Sequence, residues 1–318
     1  MRVLLTGGGG AGNEALWRLL GGQYELHFAD ADGDAFDPSI DKDRCHVVPA
    51  AADAAFVDGM RSLCRSLDVA LLVPGVDEEL LPLARAEAKI APTRLLLPHA
   101  DYVAVMLDKL ESMRQLAHAG ISVPRTESLD AVSGKIPYPC IAKPRRGRGS
   151  RGVRIVNNAE EASALQRFLG QVQEQFILQE RMSGTEFTVL MAANEKRELA
   201  AVVPVEVDLK RGITLRARTV ADPIVIEACT AIHNALPAAG CYNIQLVLSG
   251  DGAARPFEIN PRVSTTCCLS VAAGIDPIAV FSANVIQSQH LRFRPGVELR
   301  RHWKNHISTG EHNEIQII

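Results

Sequence analysis

The sequence predicts a mixed fold of the α/β and α+β classes, in which a parallel sheet domain precedes two lobes built on antiparallel sheets. Short apolar runs alternate with helical patterns over the first hundred residues, whereas longer strands follow one another with little helix between residues 175 and 219. The length of 318 residues also favours two or three domains over one. We therefore expect a sheet domain at 1–98, a small lobe at 99–174 and a large lobe at 175–318.

The first domain has the pattern of strands separated by helices. "RVLLT" at residues 2–6 is a continuous apolar run, as in a buried parallel strand, and a helix with leucines at helical spacing follows it. Further strands are expected at 24–30, 68–75 and 93–98, and further helices near 53–66 and 79–89. This alternation predicts a small Rossmann-like domain.

The pattern changes in the rest of the chain. Two helices are expected within 99–126, then a hairpin of strands 138–144 and 152–156, and then a helix at 160–170. Later strands are expected at 175–180, 184–193, 198–209, 212–219, 241–249 and 255–260, with helices at 223–236 and around 267–287. The polar tail from Ser308 is expected to fray.

Composition excludes several classes of protein. The 34 basic and 37 acidic residues give a net charge of −3, without the basic excess of a nucleic-acid-binding surface. Seven cysteines without framework spacing fit a reducing compartment. No run approaches the roughly 20 apolar residues that span a bilayer, and the first residues lack a signal-peptide core. We expect a cytoplasmic protein with neither nucleic-acid nor membrane partners.

A glycine cluster follows the first predicted strand. "TGGGGAGN" satisfies GxGxxG with Gly7, Gly9 and Gly12, and Asp30 ends the next strand. That spacing is the dinucleotide fingerprint, so binding of a nicotinamide cofactor is one interpretation. The other is a tight turn at which the backbone near Gly9 contacts a substrate.

A second glycine-rich segment, "KPRRGRGSRGV" at residues 143–153, carries five cations. A solvated surface loop would explain it. Alternatively, the loop closes over a polyanion, because its backbone N–H groups and arginines suit phosphates and its glycines permit opening and closing. The loop residues that we expect to contact phosphates are Arg148, Gly149, Ser150 and Gly152.

Two strands near the C-terminal end carry oxygen ligands. In "FEINPR", Glu258 and Asn260 are two residues apart, so their side chains share one face of the strand. With Gln245 on the neighbouring strand they suit Mg²⁺ or Mn²⁺, which take few protein oxygens and complete their shell with phosphates and water. Arg262 could bring a guanidinium to a phosphoryl group or a carboxylate.

The order of these features resembles the ATP-grasp superfamily, most closely its branch that is similar to the carbamoyl-phosphate synthase large subunit. The motifs are Lys109, the Lys143–glycine loop, "QE…GTEF", "NIQ" and "EINPR", and the resemblance covers about residues 1–300. The first domain then resembles the substrate-side domain that precedes the ATP-grasp fold in that superfamily and does not use NAD.

The resemblance implies a role for each matching position. Lys109 and Lys143 would bind ATP phosphates, Arg262 with Lys143 would be catalytic, and Glu186 would accept the ribose hydroxyls. The backbone of Glu180, Arg181 and Met182 would meet the adenine edge, and Gln245, Glu258 and Asn260 would hold the metal. An apolar adenine slot is implied at Ile141, Leu178, Met182, Leu246 and Ile259, although a core position would explain these residues equally well.

The implied function is that of an ATP- and Mg²⁺-dependent carboxylate–amine ligase with an acyl-phosphate intermediate. The chain has one ATP-grasp unit, without the second unit of a carbamoyl-phosphate synthase or the biotinyl segment of a biotin carboxylase. Two alternatives stay open: a kinase-like member that releases an acyl or carbamoyl phosphate, and a nucleotide-binding regulatory protein without turnover.

Two charged segments are candidates for contacting small-molecule substrates. Asp77, Glu78 and Glu79 in "PGVDEEL" could bind a cationic amine, although acids at a helix start are also ordinary capping. Arg216, with other cations in "EVDLKRGITLRART", could bind an anionic acyl substrate, or could lie on a solvated hairpin. The sequence leaves the acid, the amine and a homodimeric assembly open.

Overall fold

The computed structural model describes residues 1–286 and 291–302, and in them three sheets follow one another along the chain. The strands are β1 (Arg2–Thr6), β2 (Glu25–Asp30), β3 (Cys45–Val47), β4 (Leu71–Val73), β5 (Arg94–Leu95), β6 (Thr126–Ser128), β7 (Cys140–Pro144), β8 (Arg154–Val156), β9 (Phe176–Glu180), β10 (Thr185–Ala193), β11 (Leu199–Arg211), β12 (Ile213–Thr219), β13 (Gly240–Leu248), β14 (Ala254–Asn260) and β15 (Glu298–Arg300). The helices are α1 (Asn13–Leu20), α2 (Phe56–Ser66), α3 (Asp77–Arg85), α4 (Glu87–Ile90), α5 (Ala100–Met106), α6 (Lys109–His118), α7 (Ala159–Leu169), α8 (Pro223–Ala235), α9 (Cys267–Ala272) and α10 (Pro277–Ser282).

The first sheet is parallel, with strand order β3-β2-β1-β4-β5. Val3 and Leu5 of β1 pack into one apolar core, whereas Leu4 between them packs into another. Both faces of the sheet are therefore covered, as the continuous apolar run predicts. Strand β3 was not predicted, because it has only three residues, of which two are partly buried and Val47 is exposed, so they carry no clear pattern.

The strand order of the first sheet changes direction at β1: strands β2 and β3 follow on one side of it, and β4 and β5 on the other. Gly7 follows β1 and Gly75 follows β4, and the Gly75 N–H donates to the Thr6 hydroxyl at 2.9 Å. In open parallel sheets, ligands bind outside the carboxyl ends of the strands at such a reversal. The glycine cluster thus lies where the topology favours a ligand.

The second sheet is antiparallel, with order β6-β9-β7-β8 and α7 packed against it. Strands β7 and β8 form the predicted hairpin, and the basic glycine loop connects them. Strand β9 lies beyond the expected lobe boundary at 174/175, yet it pairs with β6 and β7. The sheet of the small lobe therefore extends to Glu180.

The third sheet has six strands in the order β14-β13-β10-β11-β12-β15, and its neighbouring strands are antiparallel. Tyr102 and Met113, from α5 and α6, share a core with Ile232 of α8 and Tyr242 of β13. On the other side, α9 and α10 pack into the core that also contains Val3 and Leu5. Helices expected in the small lobe thus cover the large sheet, and the predicted fold class is confirmed.

Across the described residues, no helix combines the length and apolar character needed to cross a bilayer. The tail expected to fray from Ser308 lies outside the described residues.

Candidate active site

The three sheets enclose a cleft of about 1570 Å³. The glycine turn at 7–10 and the start of α3 form one wall, the basic loop forms a second, and the polar face of β10, β11, β13 and β14 forms the third. A pocket for one small ligand usually measures roughly 300–1,000 Å³. The cleft is therefore large enough for more than one small molecule.

Nearly all of the residues predicted for the site line this cleft. Those that do are Gly9, Glu78, Lys109, Lys143, Arg148, Gly149, Ser150, Glu180, Arg181, Met182, Glu186, Gln245, Glu258, Asn260 and Arg262. Gly152 instead packs against Pro144, at the base of the loop. Arg216 lies outside the cleft lining, where it forms an exposed ion pair with Asp208 (3.1 Å), so we do not carry it into the proposed site.

Two buried lysines from distant segments lie together in the cleft. Lys109 is the first residue of α6, and its Nζ donates to the Gly147 carbonyl at 2.8 Å and lies 3.6 Å from Oε1 of Glu258. Lys143 is on β7, where its Nζ contacts the Phe257 carbonyl at 3.5 Å and lies over the Phe257 ring. The basic loop is thereby tied to both the α6 start and the third sheet.

The surroundings of Lys143 are unfavourable for its charge. Its side chain is 5% exposed, and this burial is the main reason that its pKa falls to about 8. Glu258 opposes the fall, whereas the nearby cations Lys109 and Lys210 add to it. The ammonium group of Lys143 is therefore poorly solvated, and its charge is only partly offset by Glu258.

The predicted metal ligands lie side by side on neighbouring strands. Gln245 of β13 is the register partner of Glu258 on β14, and Asn243 is the partner of Asn260. The amide nitrogen of Asn260 donates to Oδ1 of Asn243 at 3.3 Å, so its own oxygen is the atom left for a cation. Asn243 was missed, although its spacing of two from Gln245 places both on one face and could have revealed it.

Lys210 occupies the space between two predicted ligand residues. Its Nζ donates to Glu186 at 2.6 Å and to Oε1 of Gln245 at 3.1 Å. The sequence suggests that Lys210, with the other cations of its segment, lies near the acyl substrate, but strand β11 brings it beside Glu186 and Gln245, the residues predicted to contact the ribose and the metal. It is a third lysine of the cleft.

The arginines of the basic loop have different partners. Arg145 forms a two-point ion pair with Asp108, the N-cap of α6, at 3.0 and 2.7 Å, and Arg146 is 3.8 Å from the same carboxylate. Arg148 instead reaches across the cleft to Glu78 at 3.0 Å. Gly149 has φ of +68°, a conformation that favours glycine. Asp108 thus anchors the base of the loop through Arg145 and Arg146, and Arg148 at the tip of the loop contacts the first domain.

Arg262 is held by the first domain as well. Its Nε donates to Oδ1 of Asp77 at 2.5 Å, and both side chains are largely buried. Its Nη1 donates to the Val263 carbonyl at 3.0 Å. A buried two-contact arrangement fixes the plane of the guanidinium at the end of β14.

The predicted adenine slot is divided by the structure. Ile141 and Met182 line the cleft, whereas Leu178, Leu246 and Ile259 are fully buried in cores. The Glu180 backbone N–H already donates to the Arg125 carbonyl, so it is not free to contact adenine as predicted. Backbone groups for such a contact would have to come from the residues after the end of β9.

The glycine turn is filled by the chain itself. A Cβ on Gly7, where φ is +62°, would lie 2.7 Å from Cγ2 of Val76, and one on Gly9 would lie 2.4 Å from the Cβ of Ala35. Because these contacts already require glycine, a dinucleotide is not needed to explain the GxGxxG pattern.

Glu79 is a buried carboxylate of this same wall. It is 7% exposed and lines the cleft, and its Oε2 accepts a hydrogen bond from the Thr6 hydroxyl. Burial, reinforced by Asp30 and Glu78, raises its pKa to about 7, although Thr6 and Arg148 act in the opposite direction.

Comparison with known proteins decides the family. The family described as "ATP-grasp domain" matches residues 106–266, half of the chain. The chain belongs to the ATP-grasp family. This confirms the resemblance to the ATP-grasp superfamily, whereas the branch similar to carbamoyl-phosphate synthase stays a prediction.

Among curated relatives, this ATP-grasp chain is similar to D-alanine–D-alanine ligases of two bacteria. It is 25% identical to that of Anaeromyxobacter sp. (strain K) and 24% identical to that of Anaeromyxobacter dehalogenans, each over 194 residues. The match covers 54% of this chain and 63% of either ligase.

Solved structures of low sequence identity share the fold. Staphylococcus aureus N5-carboxyaminoimidazole synthetase complexed with ADP aligns with a TM-score of 0.70 at 12% identity, over 93% of this chain and 79% of that one. Bacillus licheniformis L-amino acid ligase aligns at 0.64 and 15% identity, over 86% and 70%. The biotin carboxylase domain of Hydrogenobacter thermophilus 2-oxoglutarate carboxylase, with MgADP, aligns at 0.67 and 14%, over 92% and 72%. The three-sheet architecture is that of ATP-grasp proteins.

Proposed function

We propose that this ATP-grasp chain is an ATP- and Mg²⁺-dependent carboxylate–amine ligase. It transfers the γ-phosphoryl group of ATP to a carboxylate and then lets an amine displace phosphate, giving an amide, ADP and phosphate. The observation that carries the proposal is the meeting of Lys109 and Lys143 with the oxygen-lined strands β13 and β14 beneath a basic glycine loop.

The cationic side of the cleft supports a polyphosphate ligand. Lys109 and Lys143 lie close to the loop and to Glu258, and burial of Lys143 lowers its pKa. Phosphate oxygens would offset the charge of these lysines and accept hydrogen bonds from both ammonium groups. The backbone of Gly149 and Ser150, with Arg148, would close over the terminal phosphates.

The oxygen side of the cleft fits magnesium. Glu258 and Asn260 supply a carboxylate and an amide oxygen, the donors that Mg²⁺ prefers, and Gln245 would add a second amide oxygen if the cation replaced the Lys210 ammonium beside it. Only Glu258 of these three is charged, and Lys109 lies 3.6 Å from it, so the protein offers little negative charge to a free cation. The site therefore suits a cation whose charge is balanced by the phosphates of a nucleotide bound with it. Bound there, Mg²⁺ would supply charge neutralisation on the transferring phosphoryl group.

This reaction requires the protein mainly to position the substrates and to neutralise negative charge. A carboxylate is a poor electrophile because oxide is a poor leaving group, and phosphorylation replaces that leaving group with phosphate. Arg262, oriented by Asp77 at the end of β14, would contact the phosphoryl group or the substrate carboxylate. The names of the relatives, D-alanine–D-alanine ligase and L-amino acid ligase, describe reactions of this type.

The substrates would be small molecules that bind between the first domain and Arg262. Residues 9, 78 and 79 of the first domain line the same cleft as the phosphate side, and the cleft volume of about 1570 Å³ leaves room beside a nucleotide. A homodimeric assembly stays a prediction.

The test combines trapping with isotope transfer. Purified protein is incubated with ATP, Mg²⁺ and single carboxylic acids, with hydroxylamine as the nucleophile, and both ADP and hydroxamate are measured. For each acid that responds, ¹⁸O in the carboxylate should appear in the released phosphate when an amine is supplied, because the acyl phosphate passes one carboxylate oxygen to phosphorus.

The outcomes separate the alternatives. Amide formation with stoichiometric ADP and labelled phosphate supports the ligase. An acyl phosphate that accumulates without need of an amine would support the kinase-like alternative, and ADP at background with every acid would support a regulatory protein. Glu258→Gln should abolish turnover, whereas the exposed Glu227→Gln on α8 serves as the matched control.

A further inference from the structure

The first turn of α3 carries three successive carboxylates with three different surroundings. Asp77 is paired with Arg262, and Glu78 is paired with Arg148 of the basic loop. Glu79 has neither cation at hydrogen-bonding distance; its Oε2 accepts from the Thr6 hydroxyl of β1. Within the described residues, its Oε1 receives no hydrogen bond, so one carboxylate oxygen is left for a ligand.

The position of Glu79 is defined by its neighbours. Asp77 contacts Arg262 at the end of β14, and Glu78 contacts Arg148 at the tip of the basic loop. The first turn of α3 therefore spans the end of the cleft where phosphoryl transfer would occur. Glu79 lies on that same turn, lines the cleft and is 7% exposed. A carboxylate so enclosed is poorly solvated and gains from a cationic or proton-donating ligand.

Resting on the proposed ligase function, we propose that Glu79 is the catalytic base that receives a proton from the attacking amine. An ammonium group R–NH₃⁺ would bind to the Glu79 carboxylate and transfer one proton to it. The freed lone pair forms the C–N bond at the acyl carbon, and the C–O bond to phosphate breaks as the tetrahedral intermediate collapses. Phosphate leaves with that electron pair, and the second N–H proton passes to it or to solvent.

The groups around Glu79 suit this role. Asp30 on β2 and Glu78 on α3 disfavour its ionised form, as burial does, whereas Arg148 and Thr6 favour it. The pKa of Glu79 is raised to about 7, near the pH at which a base both accepts and returns protons efficiently. Closure of the basic loop would move Arg148 relative to Glu79 and would thereby change the pKa of Glu79 when ligands are bound.

The test separates capture of the amine from formation of the acyl phosphate. Hydroxylamine is largely uncharged at neutral pH and needs little help from a base, whereas ammonium or an amino acid must first lose a proton. Glu79→Gln should therefore keep hydroxamate formation within about threefold of wild type but lose amide formation from ammonium chloride or amino acids by about 10²–10⁴-fold. Glu87→Gln, an exposed change on α4, is the matched control.

The pH profile gives a second readout. Because the base must be deprotonated, the ratio of wild-type to Glu79→Gln amide formation should rise with pH through about 7 and then level off. Thr6→Val removes a hydrogen bond that favours the carboxylate, so it should move this rise to higher pH. Thr6→Val also tests the inference if Glu79→Gln does not fold.

The results that overturn the inference are distinct from those that overturn the ligase. If Glu79→Gln leaves amide formation unchanged, or lowers hydroxamate and amide formation equally, Glu79 is not the base. If wild-type protein forms neither hydroxamate nor ADP with any acid, the proposed ligase function itself is wrong.

Discussion

Replacing Lys143 with methionine is expected to stabilise the fold and at the same time to weaken ATP binding. The pKa of this buried ammonium falls from 10.5 to about 8, which corresponds to a cost of about 3 kcal/mol for keeping its charge in the folded protein. Methionine fills similar space without charge; it gives up the 3.5 Å contact with the Phe257 carbonyl, the cation–π contact with the Phe257 ring and the attraction of Glu258. We expect a gain of about 1–3 kcal/mol at pH 7, seen as several degrees in Tm.

The pH dependence of that gain follows from the direction of the pKa change. Folded Lys143 loses its proton near pH 8, whereas the unfolded chain keeps it until about 10.5. In that window the unfolded state binds more protons, so wild-type stability rises relative to Lys143→Met as pH increases. Buried cysteines and tyrosines also titrate at alkaline pH, but their contributions are common to both proteins and cancel in the difference.

The assay is thermal unfolding at several pH values, with and without MgATP. MgATP should raise the Tm of wild type but have little effect on Lys143→Met, because loss of a charged hydrogen bond of about 1.5–3 kcal/mol weakens binding about 10–100-fold. Lys135→Met, at an exposed position of the same lobe, should behave as wild type. A Lys143→Met protein less stable than wild type, or a difference independent of pH, would refute the reasoning.

Three further substitutions test other parts of the site. Glu258→Gln should leave Tm within about 1 kcal/mol of wild type but lower ADP release by orders of magnitude at every Mg²⁺ concentration; full activity would exclude Glu258 as a metal ligand. Asp77→Asn should lower kcat about 10–100-fold with little change in the KM for ATP, because Arg262 loses the carboxylate that orients it, and an unchanged kcat would contradict this. Arg148→Ala should change stability by less than about 1 kcal/mol, since its pair with Glu78 is exposed, yet raise the KM for ATP; an unaltered KM would count against a phosphate role.

Elements with strong periodicity were predictable from the sequence. Strand β1 and the hairpin of β7 and β8 are where the sequence predicts them, because a continuous apolar run marks a strand that is buried on both faces, and two short strands around a glycine-rich loop mark a hairpin. Strand β9 shows the limit of this reasoning. Its apolar pattern predicts a strand but not which sheet it joins, since pairing with β6 and β7 depends on contacts remote in sequence.

The strand side of the candidate site was predictable for a similar reason. Glu258 and Asn260 share a face because they are two residues apart, and the register with β13 then brings Gln245 beside Glu258. Register itself cannot be read from one strand. Lys210 shows this, since its contacts with Glu186 and Gln245 follow from the pairing of β11 with β10.

The ion pairs of α3 could not be predicted. Arg262 and Asp77 are 185 residues apart, and acids in a first helical turn are explained locally by the helix dipole. The sequence therefore offers Asp77, Glu78 and Glu79 as equivalent, whereas tertiary packing gives the first two arginine partners and buries the third beside Thr6.

The charge inside the cleft constrains its ligand independently of any motif. Lys109, Lys143 and Lys210 lie near two carboxylates, Glu186 and Glu258, and the pKa of Lys143 is lowered mainly by burial, with a further contribution from the two neighbouring lysines. A divalent cation held by Glu258 would add to the positive charge of the lysines, so metal binding alone should be weak and should become tight only with a polyanion. A nucleoside triphosphate bound together with Mg²⁺ fits this charge distribution better than a nicotinamide dinucleotide, which carries fewer phosphate charges and does not bring a metal.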